Sequence, residues 1–161
     1  MSRTGLYTKT AYRTGKFGAN IQVAQGNNVI SSFFMETEFP SETVYWNELD
    51  FEKITDNCNS FATNAHFGLG ADKTDQFIWV DAQSNLCEDF HLYTFEWTPN
   101  RITWLLDGKK AREETGNTIQ VFVDNAGESM DIRFNVWVGN ADFGKTIEDS
   151  VLPVHRIIDW V

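Results

Sequence analysis

Three acidic residues alternate along one short stretch of the sequence, WNELDFEKI. Glu48, Asp50 and Glu52 are separated by single apolar residues, Leu49 and Phe51. Alternate side chains of a β-strand point to opposite faces, so this spacing predicts three acids on one face and an apolar pair on the other. Three like charges on one face repel one another, which indicates a use for the cluster beyond solubility.

Paired carboxyl groups perform glycoside hydrolysis, and retaining enzymes hold the two groups about 5–5.5 Å apart. The Cα atoms of Glu48 and Glu52 are expected about 13 Å apart on an extended strand, and two long side chains leaning inward shorten that distance. Repulsion from Asp50 raises the pKa of at least one neighbouring carboxyl, as a general acid near neutral pH requires. A calcium site is the alternative use of three acids, although calcium loops usually draw ligands from a glycine-containing turn.

The same alternation places other polar and aromatic side chains opposite the apolar face of their strands. This pattern occurs in WNELDFEKI, in SFATNAHFGL and in DIRFNVWV. Planar polar groups bind sugar hydroxyls and tryptophan stacks on sugar rings, so such a sheet face predicts a carbohydrate-binding cleft. A structural polar cluster is the alternative reading for Arg133 and Asn135. The residues that share the polar face are Trp46, Asn64, His66, Arg133, Asn135 and Trp137.

Composition limits the class of protein. The 161 residues suit one domain, residues 1–161, and 42% hydrophobic residues are enough for a packed interior. No apolar run reaches the roughly 18 residues of a membrane span. The net charge of −10 argues against nucleic acid and anionic membranes as partners. Six tryptophans and thirteen phenylalanines are many for this length and fit a protein that binds sugars.

Short segments with period-two alternation fill the chain and predict an all-β protein, an antiparallel sandwich or barrel. Within them, EWTPNRITW predicts a hairpin turning at Pro99-Asn100. KKAREETG, residues 109–116, is expected to form one helical turn. The predicted strands are KFGANIQVA, VISSFFMETEF, VYWNELDFEKI, SFATNAHFGL, QFIWVDA, FHLYTFEW, RITWLLDG, TIQVFVD, DIRFNVWV and VHRIIDWV.

Two cysteines, Cys58 and Cys87, fall in predicted loops. If the strands between 46 and 97 alternate in direction, these loops lie at the same end of the sheet. A disulfide closing this loop of about 30 residues stabilises by about 3–4 kcal/mol in the chain-entropy model. Two unpaired thiols are the alternative. A zinc site is not expected, because the three histidines are scattered and no CxxC spacing occurs.

These stretches together resemble glycoside hydrolase family 16, a family of β-jelly-roll enzymes that includes lichenases and xyloglucan transglycosylases. ELDFE matches the family's E-x-D-x-E signature. YRTGKF and VISSFFM resemble the preceding strands, FHLYTFEWTPNRITWLLDG is very like FHxYxxEWTPxxIxWxxDG, IRFNVW resembles LRFNLW, and LPVHRIIDWV resembles the final strand. The resemblance covers about residues 6–161. It is closest to bacterial β-1,3-1,4-glucanases (lichenases), including a circularly permuted form, and implies a concanavalin-like jelly-roll sandwich.

The resemblance also implies roles for single residues. Glu48 would be the nucleophile, Glu52 the acid/base and Asp50 an assisting carboxylate. The signature has no extra residue before its last glutamate, and in this it resembles the signature of lichenases and xyloglucan-type enzymes. Asp159 falls where some lichenases supply a structural calcium ligand, and no other cofactor is implied. The predicted substrate-binding residues are Phe34, Trp46, Asn64, His66, Arg133, Asn135 and Trp137.

The chain departs from the family in ways that bear on substrate and on completeness. Glu36 falls near the sequence position at which related lichenases have a tyrosine in the cleft, and Ala62 falls at a position where they have a polar cleft residue. Family members run well over 200 residues, and strands with FDG…W patterns are absent here. We therefore expect part of a longer or split protein, or a trimmed sandwich. Its exposed edges would invite self-association or completion by the missing strands.

These observations lead to one leading expectation and two alternatives. The leading expectation is a retaining endo-β-glucanase that hydrolyses mixed-linkage β-1,3-1,4-glucan and is secreted, as the resemblance implies. A xyloglucan hydrolase or transglycosylase is the second enzymatic reading. A non-catalytic carbohydrate-binding module is the third, although a pure binder gains little from three adjacent carboxylates.

Overall fold

The computed structural model describes residues 3–26, 28–37, 43, 45–53, 57–70, 72, 74–116, 129–138 and 153–161. Within these ranges, no helix is long and apolar enough to cross a membrane. The strands are β1 Arg3–Tyr12, β2 Gly15–Gln22, β3 Val29–Thr37, β4 Trp46–Lys53, β5 Ser60–Gly68, β6 Thr74–Asp75, β7 Ile78–Asp81, β8 His91–Thr98, β9 Arg101–Leu106, β10 Lys109–Glu114, β11 Met130–Val138 and β12 Ile157–Trp160.

The strands form two sheets. The first, which we call the cleft sheet, has the order β1-β11-β3-β4-β5-β6, and β7 also pairs with β5. The second, the back sheet, has the order β10-β9-β8-β2-β12. Each strand pairs with its neighbours in antiparallel fashion. The predicted all-β antiparallel sandwich is therefore confirmed.

Aromatic side chains from both sheets meet in the core. Phe33 of β3 and Phe51 of β4 each lie 4.9 Å, between ring centroids, from Phe95 of β8. Leu49 is also fully buried. Each such side chain contributes about 1.5–3 kcal/mol on burial. Because Leu49 and Phe51 must face this core, the alternating acids of β4 are turned to the opposite face of the cleft sheet.

A tight turn decides the structure of residues 109–116. Asp107 and Gly108 both have positive φ, at 50° and 75°, which is the geometry of a two-residue hairpin turn. The chain returns as β10 and pairs with β9, so the prediction of a helical turn here was wrong. The hairpin at Pro99-Asn100 is confirmed, since Thr98 of β8 pairs with Arg101 of β9.

One strand of the structure was missed by the sequence patterns, and one predicted strand lies outside the described residues. β1 was not predicted, because three of its ten residues are threonine and its larger apolar side chains, Leu6, Tyr7 and Tyr12, are exposed. It forms the outer strand of the cleft sheet beside β11. The predicted strand TIQVFVD, residues 118–124, lies outside the described residues.

Cys58 and Cys87 form a disulfide, with their Cα atoms 5.4 Å apart. This bond joins the turn before β5 to the loop between β7 and β8. Backbone bonds accompany it, from the amide of Leu86 to the carbonyl of Cys58 and from the amide of Ala82 to that of Asn59, both 2.8 Å. The expectation that the two loops share one end of the sheet is correct, and the alternative of two free thiols is excluded.

Candidate active site

Strand β4 lies in the middle of the cleft sheet and carries Glu48, Asp50 and Glu52 on one face. Residues paired across neighbouring antiparallel strands share a face, so the register defines rows of side chains that run across the cleft. One row contains Glu36, Glu48 and His66, the next Phe34, Asp50 and Asn64, and the third Ser32, Glu52 and Ala62.

The back sheet supports the acidic strand from below. The indole Nε1 of Trp104 donates a 3.0 Å hydrogen bond to the backbone carbonyl of Asp50. The buried guanidinium of Arg112 lies 4.6 Å from the Trp104 ring centre and donates two bonds of 3.2 Å to the backbone carbonyl and hydroxyl of Thr63. The positions of β4 and β5 at the acids are thus fixed by side chains of β9 and β10.

Glu48 and Asp50 are strongly perturbed acids. Burial and the nearby charges of Asp50 and Glu36 raise the pKa of Glu48 well above its ordinary value. Burial, followed by repulsion from Glu52, raises the pKa of Asp50 well above its ordinary value. The hydrogen bond between their carboxyls requires one proton, and it raises the pKa of Glu48 and lowers that of Asp50, so Glu48 is the donor. The pair therefore retains a proton at pH values where separate carboxyls have lost theirs.

Glu52 has a different environment at the other end of the strand. Burial raises its pKa, while a hydrogen bond from the hydroxyl of Ser32, 3.2 Å long, acts in the opposite direction. A raised pKa is what a general acid needs near neutral pH. The cluster thus contains both a carboxyl that can give up a proton and a neighbour that can act as an anion.

Asn64 and His66 form a hydrogen-bonded pair beside Asp50. The carbonyl oxygen of Asn64 accepts bonds from the backbone amides of Ala65 and Gln76, both 2.9 Å. Its NH₂ group therefore faces Nε2 of His66 at 3.0 Å, and this nitrogen is the acceptor. The same Nε2 lies 3.3 Å from Asp50 Oδ2. In this tautomer Nδ1 carries the proton of the imidazole.

Trp46 extends the polar row with an aromatic surface. Its ring stacks on the His66 ring, with the centroids 4.6 Å apart and the planes 15° from parallel. Burial raises the pKa of the neighbouring Glu36, and the Arg133 charge and the Trp46 indole act in the opposite direction. Trp46 and His66 therefore support each other at the Glu48 end of the cleft.

Arg133 is held by two acids on its own sheet. It donates hydrogen bonds to both carboxylate oxygens of Asp131 and to Oε2 of Glu36 on the neighbouring strand β3. Its side chain is only 23% exposed. This network ties β11 to β3 and fixes the guanidinium beside Phe34, its partner in the register. The positive charge of Arg133, a predicted sugar-binding residue, is therefore largely neutralised by these two acids.

The remaining predicted binding residues lie on the same face. Phe34 lies between Arg133 and Asp50 in register and is half-buried. Asn135 pairs with Ser32 in the row of Glu52, and Trp137 packs against the buried pair of Ile30 and Ala62. The structure therefore brings all seven predicted binding residues onto the face that carries the three acids.

Asp159 is the exception, because it lies on β12 of the back sheet. Its Oδ2 accepts a 3.2 Å hydrogen bond from the side-chain NH₂ group of Asn20. Calcium takes six to eight oxygen ligands, and among the described residues Asp159 belongs to no group of three candidate ligands. A calcium ion at Asp159 stays a prediction, which chelation with EDTA can test. The group that does have metal-like spacing is Glu48, Asp50 and His66, with donor atoms within 4.8 Å.

Several residues of this face were not among the predicted site residues. Asp131 anchors Arg133, and alternation in MDIRFN already places the two side chains on one face. Trp79 on β7 pairs with Ala62 and is 52% exposed, and Tyr7 on β1 pairs with Arg133 and is 71% exposed. The alternation of side chains along FIWVD could have placed Trp79 on the cleft face. Tyr7 could not be placed in this way, because β1 was not predicted as a strand.

Comparison of the sequence with known proteins identifies one family and relatives that are named as enzymes acting on glucans. The family model for glycosyl hydrolases family 16 matches residues 1–160. A β-glucanase of Fibrobacter succinogenes is 31% identical over 160 residues, covering 97% of this chain and 44% of the relative. Xyloglucan endotransglucosylase/hydrolase protein 22 of Arabidopsis thaliana is 31% identical over 116 residues, covering 70% of this chain and 39% of the relative. The chain therefore spans less than half the length of these relatives.

Solved structures agree at the level of the fold. A Crh5 transglycosylase has a TM-score of 0.79 at 22% identity, covering 97% of this chain and 65% of that one. A β-1,3-1,4-glucanase (lichenase) from a mouse hindgut metagenome has a TM-score of 0.76 at 23% identity, covering 97% of this chain and 68% of that one. At these identities the likeness establishes the jelly-roll architecture, as predicted, and not the substrate.

Proposed function

This chain belongs to glycosyl hydrolase family 16, and on that premise we propose that it is a retaining endo-β-glucanase acting on mixed-linkage β-1,3-1,4-glucan. The observation that carries the proposal is the row of Glu48, Asp50 and Glu52 on one face of β4, with raised carboxyl pKa values. Sequence similarity to a bacterial β-glucanase supports the choice of substrate.

In the proposed first step, the protonated carboxyl of Glu52 donates its proton to the glycosidic oxygen. The carboxylate of Glu48 attacks the anomeric carbon, the bond to the leaving sugar breaks, and a covalent glycosyl-enzyme forms. In the second step, Glu52 takes a proton from water, the water oxygen attacks the anomeric carbon, and Glu48 is released as a carboxylate. Two displacements at one carbon retain the β configuration.

Asp50 has a supporting part in this mechanism. Its raised pKa keeps it neutral more readily than an ordinary aspartic acid. In the free protein the shared hydrogen bond raises the pKa of Glu48 and lowers that of Asp50, so Glu48 donates it. Before Glu48 attacks, this proton passes to Asp50, which then donates the bond to the Glu48 carboxylate. Transfer of the shared proton to Asp50 leaves Glu48 anionic without the repulsion of two adjacent charges.

Polymer specificity and stereochemistry test the proposal together. We expect the protein to release reducing ends from lichenan, with much lower rates on laminarin and xyloglucan, and the first product seen by proton NMR to be the β-anomer. Glu48→Gln and Glu52→Gln should each lower kcat by about 10²–10⁴-fold or more. Glu88→Gln, in an exposed loop, is the matched control and should keep full activity. Inversion at the anomeric carbon, or full activity in Glu48→Gln, would contradict the mechanism.

A xyloglucan-active enzyme is the second candidate, favoured by the similarity to the Arabidopsis thaliana protein. It predicts that a labelled xyloglucan oligosaccharide is incorporated into xyloglucan polymer, whereas the leading proposal predicts hydrolysis of lichenan without such transfer. Binding of β-glucan by the unmutated protein without release of reducing ends would instead support a carbohydrate-binding module.

We further propose that the protein acts outside the cell. Its substrate is a polysaccharide too large to enter, and the Cys58–Cys87 disulfide is of the kind that persists in oxidising compartments.

A further inference from the structure

A tryptophan on the cleft sheet lies outside the site described above. Trp79 of β7 pairs with Ala62 of β5, which pairs in turn with Glu52 of β4. Paired residues share a face, so the Trp79 side chain lies on the face of the catalytic acids, two strands away. At about 4.8 Å per strand, its backbone is about 10 Å from that of Glu52.

The Trp79 ring is held in position although half of its surface faces solvent. It is 52% exposed. The Phe77 ring meets it nearly edge-on, with centroids 5.6 Å apart and planes at 83°. Phe77 itself packs on the buried pair of Ile30 and Ala62. A large apolar surface kept exposed on a fixed ring is typical of a binding platform.

Beside this ring lies an open pocket of about 650 Å³ whose walls combine apolar side chains with polar ones. Asn57 uses its carbonyl oxygen to cap the amide of Asn59 at 3.0 Å, and Asp81 uses Oδ1 to cap the amide of Gln83 at 2.9 Å. The NH₂ group of Asn57 and the second oxygen of Asp81 are their remaining hydrogen-bonding groups. The lining residues are Asn57, Asn59, Ser60, Trp79, Val80 and Asp81.

The pocket wall is preorganised. Cys58, between the two asparagines, is bonded to Cys87, and the carbonyls of Cys58 and Asn59 accept backbone bonds from Leu86 and Ala82. A ligand that binds here therefore meets side chains on a backbone that is already ordered, which lowers the entropic cost of binding.

An aromatic platform beside an amide, a hydroxyl and a carboxylate has the chemistry of a pyranose site, with an apolar face for the ring and planar polar groups for the hydroxyls. The position of Trp79 in the cleft sheet mirrors that of Trp137, which lies on the opposite side of β4 on the same face. Trp137 lies on β11, two strands from β4 in one direction, and Trp79 lies two strands away in the other. A glucan that crosses the strands over the acids reaches both rings.

We propose that Trp79 and the adjoining pocket form an additional glucosyl-binding subsite at the β7 side of the cleft, which engages a β-glucan chain beyond the sugars held at the acids. The inference rests on the proposed function for its ligand class. A subsite this far from the acids contributes to binding of long chains more than to the chemical step.

The test compares Trp79→Ala with Trp160→Ala. Trp160 is similarly exposed, at 48%, but lies on β12 of the back sheet. We expect Trp79→Ala to raise KM on lichenan about tenfold with kcat within twofold, to leave KM on a short oligosaccharide nearly unchanged, and Trp79→Phe to recover part of the loss. Trp160→Ala should match the unmutated protein.

Binding is measured separately by electrophoresis in gels that contain lichenan, with every variant in the Glu48→Gln background. Retardation should be lost in Trp79→Ala and kept in Trp160→Ala. Equal retardation of both variants, with an unmutated protein that hydrolyses lichenan, would overturn the subsite and leave the proposed function standing. An unmutated protein that neither hydrolyses lichenan nor is retarded by it would overturn both.

Discussion

At the scale of single residues, the unusual feature is a set of carboxyls that bind protons more tightly than ordinary acids. The raised pKa values of Glu48, Asp50 and Glu52 have burial as their largest cause. Such a group makes the native state bind more protons than the unfolded chain. Its contribution to stability is therefore greatest at low pH and is lost as the pH rises through the native pKa. The acidic row is maintained at a cost to stability near neutral pH.

Asp50→Asn tests this cost. The amide keeps the shape of the side chain and removes its charge, so we expect the variant to melt at least about 2–4 °C above the unmutated protein at pH 8, the shift that 1 kcal/mol produces in a domain of this size. The difference should shrink toward pH 4, because near the ordinary pKa of 3.8 the unfolded chain also begins to bind a proton at Asp50. Activity should fall at both pH values.

Calorimetry at the two pH values measures the effect, and Asp81→Asn, an exposed acid on β7, shows what loss of an ordinary charge does. A gain in melting temperature that is larger at pH 4 than at pH 8 would contradict the assigned direction of the pKa shift.

At the scale of strands, the catalytic row depends on support from the other sheet. Trp104 of β9 bonds to the backbone of Asp50, and Arg112 of β10 lies over Trp104 and bonds to Thr63 of β5. Arg156 adds a third contact, since its Nη1 donates to the backbone carbonyls of Ser32 and Asn135, at 2.6 and 2.8 Å. Burial lowers the pKa of Arg156 to about 10. The cleft sheet is thus held in place from its core side.

Trp104→Phe tests the contribution of this support to catalysis. The change leaves the buried carbonyl of Asp50 without its donor, so we expect a loss of about 1–3 kcal/mol in the free energy of unfolding. A loss of kcat on lichenan of about tenfold should accompany it, because β4 is no longer pinned at the acids.

Trp97→Phe is the matched control, since Trp97 is equally buried in the same sheet and is not the donor to Asp50. It should destabilise the protein with little effect on kcat at a temperature where both variants are folded. Equal losses of kcat in the two variants would show that the Trp104 bond has no special part in catalysis.

At the scale of the whole molecule, charge is the dominant property. The net charge is −10, and the positive charge of Arg133 in the cleft is already paired to Asp131 and Glu36. A field of one sign repels ligands of the same sign over about one Debye length, roughly 10 Å at 0.1 M salt. The molecule should therefore favour neutral polysaccharides.

Derivatives of one polymer test this expectation. We expect kcat/KM on carboxymethylated lichenan to be about tenfold below that on a hydroxyethylated lichenan of equal substitution at low salt, and the gap to narrow at 0.5 M sodium chloride. The hydroxyethyl derivative controls for bulk. A gap that does not respond to salt would indicate a steric origin.

The expectation of self-association or completion by further strands stays a prediction. β1 is the outer strand of the cleft sheet, and its Leu6 and Tyr7 are 67% and 71% exposed. An exposed strand edge is where another strand would pair, and light scattering over a range of concentrations would reveal a second copy.

The sequence by itself determined which residues of β4, β5 and β11 face the cleft. The alternation of β4 placed Trp46 with the three acids, and that of β11 placed Arg133 with Asn135 and Trp137, because side-chain direction in a strand follows from local backbone geometry. The motif could likewise be assigned a chemistry, since two carboxyls and their spacing are local features.

Only the tertiary structure decided which of these residues meet. It set His66 and Glu36 opposite Glu48, locked Arg133 between Asp131 and Glu36, paired Cys58 with Cys87, and brought Trp104 under Asp50. Register, sheet order and contacts between sheets arise from residues far apart in the chain, which no local pattern encodes. For the same reason β10 became a strand, because its pairing with β9 outweighed the local preference read from KKAREETG.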